Sequence, residues 1–378
     1  MKVNAQRDQR WDTIRGIAVL GILPVNLWVF GWPVGALYQP ELALTEALWD
    51  RLAWGLVTLI FEHSMVLTLA FLMGMGLGIM AQHGRGSVII IKRLSVLAAL
   101  GIMHAYLFWW GDILWLLAIC GVLAWLSREL SRISLLRIGL TGLVVPSTLL
   151  MLWSLSATTT FSEAFNPVAV NQIEQTLATY RASWILQFQQ RWPLALWMQT
   201  FGVLTYGVWH LLGAMLLGMA ASRVDWQHRQ IKAQWIMALL ILSFALKLII
   251  IYNQWQGTGY SLGAAAMLLP IAGGIQSAAY VLLFVTYWPN LQPTQQQWLG
   301  KVMGATGRLS LSIYLLQSMV LSLIFYGHGL GLMGQLSLWQ LTVIGLSLIA
   351  LLATLAYQWE QHIGAGPAER LWRTLSYR

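Results

Sequence analysis

Two residues before the middle of the chain offer the plainest chemistry. In the stretch GIMHAYLFWWGDIL, His104 and Asp112 flank a short aromatic turn. On one continuous helix they would stand about 12 Å apart, whereas a hairpin turn at Trp110-Gly111 would bring them together. A histidine oriented by a carboxylate is a general base near neutral pH, able to deprotonate an acceptor hydroxyl or amine. The structural alternative is capping, with Asp112 starting the next helix and His104 bonded to a neighbour.

Further polar residues lie inside apolar runs, where a charge or amide is costly and must face protein or water. In RWDTIRGIAVLGILPVN, Asp12 and Arg15 are spaced to pair on a helix surface, and Arg15, Ile22 and Asn26 fall on one stripe. Asn26 then serves either an interhelical hydrogen bond or a ligand. In GRLSLSIYLLQS, Ser310, Tyr314 and Gln317 share a narrow arc, suiting a helix contact or the wall of a polar cavity. Arg308 sits at the same rim as Arg15, Lys92 and Arg93, where the four suit phosphates or lipid headgroups. Glu62 and His63 point about 100° apart, so one of them needs a partner on another helix, with His104 and Lys247 as candidates. His210 reads as a structural histidine among the close-packing small residues Gly213, Ala214, Gly218 and Ala221.

The elements that position these residues follow from composition. Hydrophobic residues make up 58% of the 378 positions and charged ones 9%, against roughly a quarter charged in a soluble domain. Apolar runs of spanning length fall near 14–32, 53–81, 88–107, 111–127, 134–156, 194–221, 234–253, 263–286, 309–327 and 338–358. The expectation is an all-α, polytopic membrane helix bundle of about ten transmembrane helices, a single transmembrane domain over 1–378. Glu62-His63 marks a possible break in the second span.

Loop charges orient that bundle. Eighteen lysines and arginines fall in the two tails and alternate connections, and three (Arg51, Arg181, Arg191) fall on the opposite side. Cytoplasmic loops are the ones enriched in these residues, so both termini are expected in the cytoplasm. The long connection 157–193 then faces outward and carries a surface helix. The tail 359–378 forms an amphipathic helix at the cytoplasmic surface. The basic start followed by an apolar run lacks a small-residue cleavage pattern and reads as a retained first span.

Several classes lose support. The net charge of +9 is spread between spans and reports topology rather than nucleic-acid binding. Cys120 is the single cysteine, so neither an intramolecular disulfide nor a CxxC metal site can form, and no metal is expected. Phosphate-loop, zinc-helix and nucleophile-elbow motifs are lacking. Trp28, Trp32, Trp109, Trp110, Trp192, Trp255 and Trp288 are expected as interface anchors. Gly74–Gly78 suits internal packing or a homodimer contact alike.

DTIRGIAVLGILPVN, IMHAYLFWWGDIL, GRLSLSIYLLQS, GHGLGLMG and GPAERLWR run from the first span to the last, and on these blocks the chain resembles the YeiB family of bacterial inner-membrane proteins. That family is similar in layout to the transmembrane acyltransferases, such as heparan-α-glucosaminide N-acetyltransferase. The resemblance implies a multi-pass protein of the bacterial inner membrane that takes an acyl group from cytoplasmic acyl-CoA, such as acetyl-CoA, to a small-molecule or glycan acceptor at the outer face, among membrane lipids. In those enzymes a catalytic histidine follows or ends the first span, a place where this chain has Asn26 and no histidine. His104, oriented by Asp112, is then the substitute base. Arg15, Lys92, Arg93 and Arg308 would hold CoA phosphates, and Asn26, Tyr314 and Gln317 would line the passage. The competing reading is a transporter or lipid-handling protein, in which the same stripes line a path and no bond is made.

Overall fold

The computed structural model describes residues 8–33, 47–156, 173–226, 231–256 and 259–377. Its regular elements are all helical: α1 Gln9–Gly31, α2 Leu48–Ile60, α3 Ser64–Gln82, α4 Ser87–Leu107, α5 Leu114–Leu126, α6 Arg132–Ser156, α7 Ile173–Arg181 and α8 Trp184–Trp197. A π-helical stretch, Met198–Gly207, joins α8 to α9 Val208–Ala221. There follow α10 Ala233–Gln256, α11 Gly259–Tyr287, α12 Pro293–Arg308, α13 Ser310–Phe325, α14 Leu338–His362 and α15 Pro367–Tyr377. Lipid offers no partner for free backbone groups, so long apolar segments close their hydrogen bonds internally as helices.

Among the described residues, seven helices are long and apolar enough to cross a membrane, or eight if α12 and α13, which meet at 75°, form one crossing. The shorter apolar helices α5 and α9 complete a set of ten at the ten expected positions. The chain is an all-α polytopic bundle. Residues 157–172, the first part of the long connection, lie outside the described residues; its remainder forms α7 and the start of α8.

The bundle is built around α1, the most enclosed of the long helices. It packs against α3, α12, α13 and α14, while α9 fills the space between α3, α5 and α6. Two crossings bring backbones into direct contact through glycine. A Cβ on Gly16 would lie 1.9 Å from the Met303 carbonyl oxygen and one on Gly307 1.8 Å from that of Asp12, locking α1 to α12. Gly74 against Met215 and Gly218 against Phe71, each at 1.9 Å, do the same for α3 and α9. Gly74 therefore serves internal packing.

The second span is broken where Glu62 and His63 suggested. Residues 61–63 form a turn between α2 and α3, and His63 takes φ 57°, a conformation uncommon outside glycine. A broken helix leaves carbonyls without donors, and neighbouring helices supply them. The Lys247 ammonium donates to the carbonyls of Thr58 at 3.0 Å, Leu59 at 3.3 Å and Glu62 at 2.8 Å. Gln276 donates to Leu59 and Tyr280 to Ile60. Lys247 thus reaches the break through its main chain. Lys247→Met should cost about 3 kcal/mol, because buried carbonyls lose their donor, seen as a lower unfolding temperature in detergent. An unchanged midpoint would show that the break does not depend on Lys247.

The tryptophans correct an expectation. Trp28, Trp32, Trp109 and Trp288 are all at most 9% exposed and belong inside the protein. Trp28, Trp32 and Trp109 join the main hydrophobic cluster, and Trp32 donates its indole N–H to the Leu336 carbonyl. Their large apolar faces pack against other helices; of the seven, Trp192 is plainly exposed, at 43%. His210 is bonded to Ser147 at 2.7 Å, and Cys120 is fully buried against the Val208 carbonyl, both packing roles.

Candidate functional site

A cavity of about 660 Å³ opens between α1, α3, α4, α5, α13 and α15. Its mouth lies at the first turns of α1, α4 and α13, where Arg15, Arg93, Arg308 and Arg373 gather. Its shaft is apolar, formed by Val19, Leu72, Met73, Leu94, Leu97 and Leu117, and its inner end is closed by Ile113, Leu114 and Tyr314.

The arginines are held differently. Arg15 donates to Asp12 at 2.9 Å, the pair expected from their spacing. Arg308 forms a two-pronged bond with Glu360 of α14 and lies 3.9 Å from Asp12. The Arg93 guanidinium stacks on Trp372 of α15, 4.3 Å from the ring centre, and donates to the Tyr377 hydroxyl. Carboxylates therefore balance Arg15 and Arg308, while aromatic side chains hold Arg93. That leaves Arg93 better placed to take a new anion, since guanidinium groups suit phosphate geometry.

The terminal helix forms one wall of this mouth. Trp372 donates to the Arg93 carbonyl at 2.7 Å. Glu369, 6% exposed, accepts from the amides of Leu311 at 2.8 Å and Ser312 at 3.1 Å, and from the Ser312 hydroxyl. The bend before α13 leaves those first-turn amides open, and a carboxylate there is favoured by the helix dipole. Glu369→Ala should weaken the docking of α15 by about 1–2 kcal/mol, measured as faster tryptic cleavage after Arg370 and Arg373. Cleavage at the wild-type rate would show that α15 is held without this carboxylate.

His104 and Asp112 meet just beyond the inner end. The turn between α4 and α5 brings His104 Nδ1 to 2.7 Å from an Asp112 oxygen, with both side chains 1% exposed. The other Asp112 oxygen accepts the Trp115 amide at 3.0 Å, so pairing and capping are combined in one carboxylate. With Nδ1–H donated to Asp112, neutral imidazole presents its lone pair at Nε2, an atom with no hydrogen-bond partner among the described residues. Gly101 makes the hairpin possible: a Cβ there would lie 2.3 Å from the Trp115 amide nitrogen and 2.7 Å from Asp112.

Tyr314 connects cavity and pair. It lines the inner end, its ring centre lies 5.3 Å from that of His104, and its hydroxyl accepts the Ile113 amide at 3.2 Å beside Asp112. The structure thus gathers Arg15, Arg93, Arg308 and Tyr314 around one cavity and sets His104 and Asp112 behind Tyr314. Lys92 is exposed and points elsewhere. Asn26 is 9% exposed in the body of α1 and does not line the cavity. Gln317 ties α13 to α1 by donating to the Val19 carbonyl at 3.1 Å.

Sequence reasoning missed Glu360 and Glu369, whose partners lie 52 and 57 to 58 residues away. It also missed a group at the far end of the bundle. Arg191 is fully buried and donates to the carbonyls of Tyr106 at 2.9 Å and Phe108 at 3.3 Å, the turn that follows His104. One signal was available: Arg191 breaks the charge bias of its side of the chain.

Comparison with known proteins adds relatives. A family model described as a protein of unknown function (DUF418) matches residues 219–378, a region that holds Arg308, Tyr314 and Glu369. The chain is similar to the uncharacterized protein YeiB of Escherichia coli (strain K12), with 28% identity covering 99% of this chain and 97% of that one. It is also similar to the uncharacterized protein YxaH of Bacillus subtilis (strain 168), with 25% identity covering 97% and 93%. No solved structure matches.

Proposed function

We propose, for a chain that belongs to the YeiB family of multi-pass membrane proteins, that it transfers an acyl group from acyl-CoA to a small-molecule or glycan acceptor. In this reading the protein sits in the bacterial inner membrane with both termini in the cytoplasm, and the arginine-lined mouth opens inward. The observation that carries the reading is one cavity running from a cationic mouth to Tyr314, directly behind which lies a buried histidine–carboxylate pair.

The residues fit such a donor. Ligand sites of this kind occupy roughly 300–1,000 Å³, mostly apolar with a few placed polar groups, and this cavity has that character. Arg93, with Arg15, Arg308 and Arg373, would hold the phosphates, and the leucine-lined shaft would take the extended arm while excluding water. Bound acyl-CoA supplies an activated thioester. Asp112 keeps the proton on His104 Nδ1, so Nε2 can accept the proton of an acceptor hydroxyl or amine. Tyr314 holds the Ile113 turn against the pair and closes the shaft.

The transport reading drew on the broken second span, since broken helices often mark substrate sites. Here Lys247, Gln276 and Tyr280 occupy carbonyls of that break, which favours a structural role for it. Radiolabelled acetyl-CoA incubated with purified protein separates the two. A transferase binds it saturably and hydrolyses or transfers the acetyl group, with binding weakened in Arg93→Gln. A protein that ignores acetyl-CoA at millimolar concentration is not this enzyme.

A further inference from the structure

At the end of the bundle remote from the arginine-lined mouth lies a second group of polar side chains, with no acidic contact among the described residues. The helices fix its position, since α1, α4 and α13 all begin at the mouth and end here, at Gly31, Leu107 and Phe325. Tyr180 of α7 is 3% exposed, and its ring packs 4.8 Å from that of Tyr326. Tyr326 in turn packs on Phe30, and Phe30 on Trp109. Arg191 acts electrostatically on Tyr180 and Tyr326, while its Nε and Nη1 bind the carbonyls beyond His104.

Three donors in this group are buried and have no hydrogen-bond partner among the described residues: Arg191 Nη2, the Tyr180 hydroxyl and the Trp109 indole N–H. Buried polar atoms are nearly always hydrogen-bonded, so each exception calls for a missing partner. A buried cation without a counter-ion is costlier still. Arg191 bonds to main-chain carbonyls and lies over the Trp184 ring, 5.5 Å from its centre, and among the described residues no carboxylate balances it.

The surroundings reinforce the sign. Gln187, fully buried, spends its amide N–H groups on the carbonyls of Tyr180 and Ala182 and accepts from His328 Nδ1 at 2.8 Å. Burial, and then the Arg191 charge, hold His328 below the usual histidine value. The cover is the segment after α13. It is pinned by the Gly327 amide to the Tyr180 carbonyl, by the Gly334 amide to Gly31, and by Arg181 to Met333. It turns through Gly331 and Gly334 at φ 67° and 70°.

We propose that Arg191 and Tyr180 form an anion-binding site for a carboxylate or phosphate group of a small molecule reaching the bundle from the end opposite the arginine-lined mouth. Arg191 Nη2 and the Tyr180 hydroxyl donate to the anion, and the 326–336 segment covers it. The site stands on buried donors without a hydrogen-bond partner, and a cation without a carboxylate, among the described residues, independently of whether acyl transfer occurs.

Calorimetric titration of the purified full chain with inorganic phosphate, and separately with acetate, at constant ionic strength tests this. Saturable binding of at least one anion is expected, weakened about tenfold or more in Arg191→Gln and about threefold or more in Tyr180→Phe, as follows from losing charge-assisted and neutral hydrogen bonds. The preferred anion identifies the ligand class. Should Arg191→Gln fail to fold, Tyr180→Phe decides alone, because it removes a hydroxyl that makes no hydrogen bond among the described residues. Absence of saturable binding by both anions, or binding indifferent to Tyr180→Phe, overturns the proposal.

Discussion

His104→Ala is expected to lower acyl transfer by about 10²- to 10⁴-fold, the usual contribution of a positioned general base, while leaving acetyl-CoA affinity within about twofold. The split between the two readouts follows from geometry: His104 lies behind Tyr314 and does not line the cavity that would hold the donor. Asp112→Asn should cost less and in a different way. An amide can still cap the first turn of α5, but it no longer fixes the proton on Nδ1, so the turn survives and the tautomer is lost. Single-turnover transfer rates and equilibrium binding on the same preparations separate these effects. If His104→Ala inserts, binds and transfers like wild type, the pair is a structural cap and the base lies elsewhere.

Gly307→Ala is the substitution expected to damage the fold most. Its Cβ would fall 1.8 Å from the Asp12 carbonyl oxygen, and Gly16 on the facing helix has Met303 at 1.9 Å, so no side-chain rotation relieves the overlap. Helices α1 and α12 must separate, at a cost of about 3 kcal/mol or more, the upper range for overpacking a close contact. Asp12 and Arg308 border the crossing, so the cavity mouth is displaced with it. Gly76→Ala is the matched control, because nothing lies within 4 Å of its added Cβ. Monodisperse yield and unfolding temperature in detergent check the contrast. Equal behaviour of the two variants would mean that the crossing is looser than its glycines require.

Much of this fold is legible in the sequence because apolar length is a strong signal in lipid. All ten apolar runs lie on helices, and the Glu62-His63 turn interrupts its span where two adjacent polar residues made continuity costly. The Asp12–Arg15 pair and the His104–Asp112 hairpin follow from spacing and from the Trp110-Gly111 turn. The site is less legible wherever it depends on distant segments. Glu360 and Glu369 sit on different helices from Arg308 and Ser312, so no local spacing reveals them. Lys92 and Arg93 show another limit: neighbours on a helix diverge by about 100°, and only one of them reaches the cavity. Trp32, Trp109 and Trp288 lie at helix ends, as expected, but their rings pack inside the protein, Trp109 against Phe30, which composition alone does not show.

In the proposed reading one cavity carries the donor from the arginine-lined mouth to Tyr314, with the His104–Asp112 pair directly behind it. A density map of the purified protein with acetyl-CoA tests it most directly. Phosphate density is expected against Arg93 and its neighbours Arg15, Arg308 and Arg373, with the acetyl end at Tyr314. Density for the ligand in another part of the bundle, or an empty cavity at saturating acetyl-CoA, would contradict it.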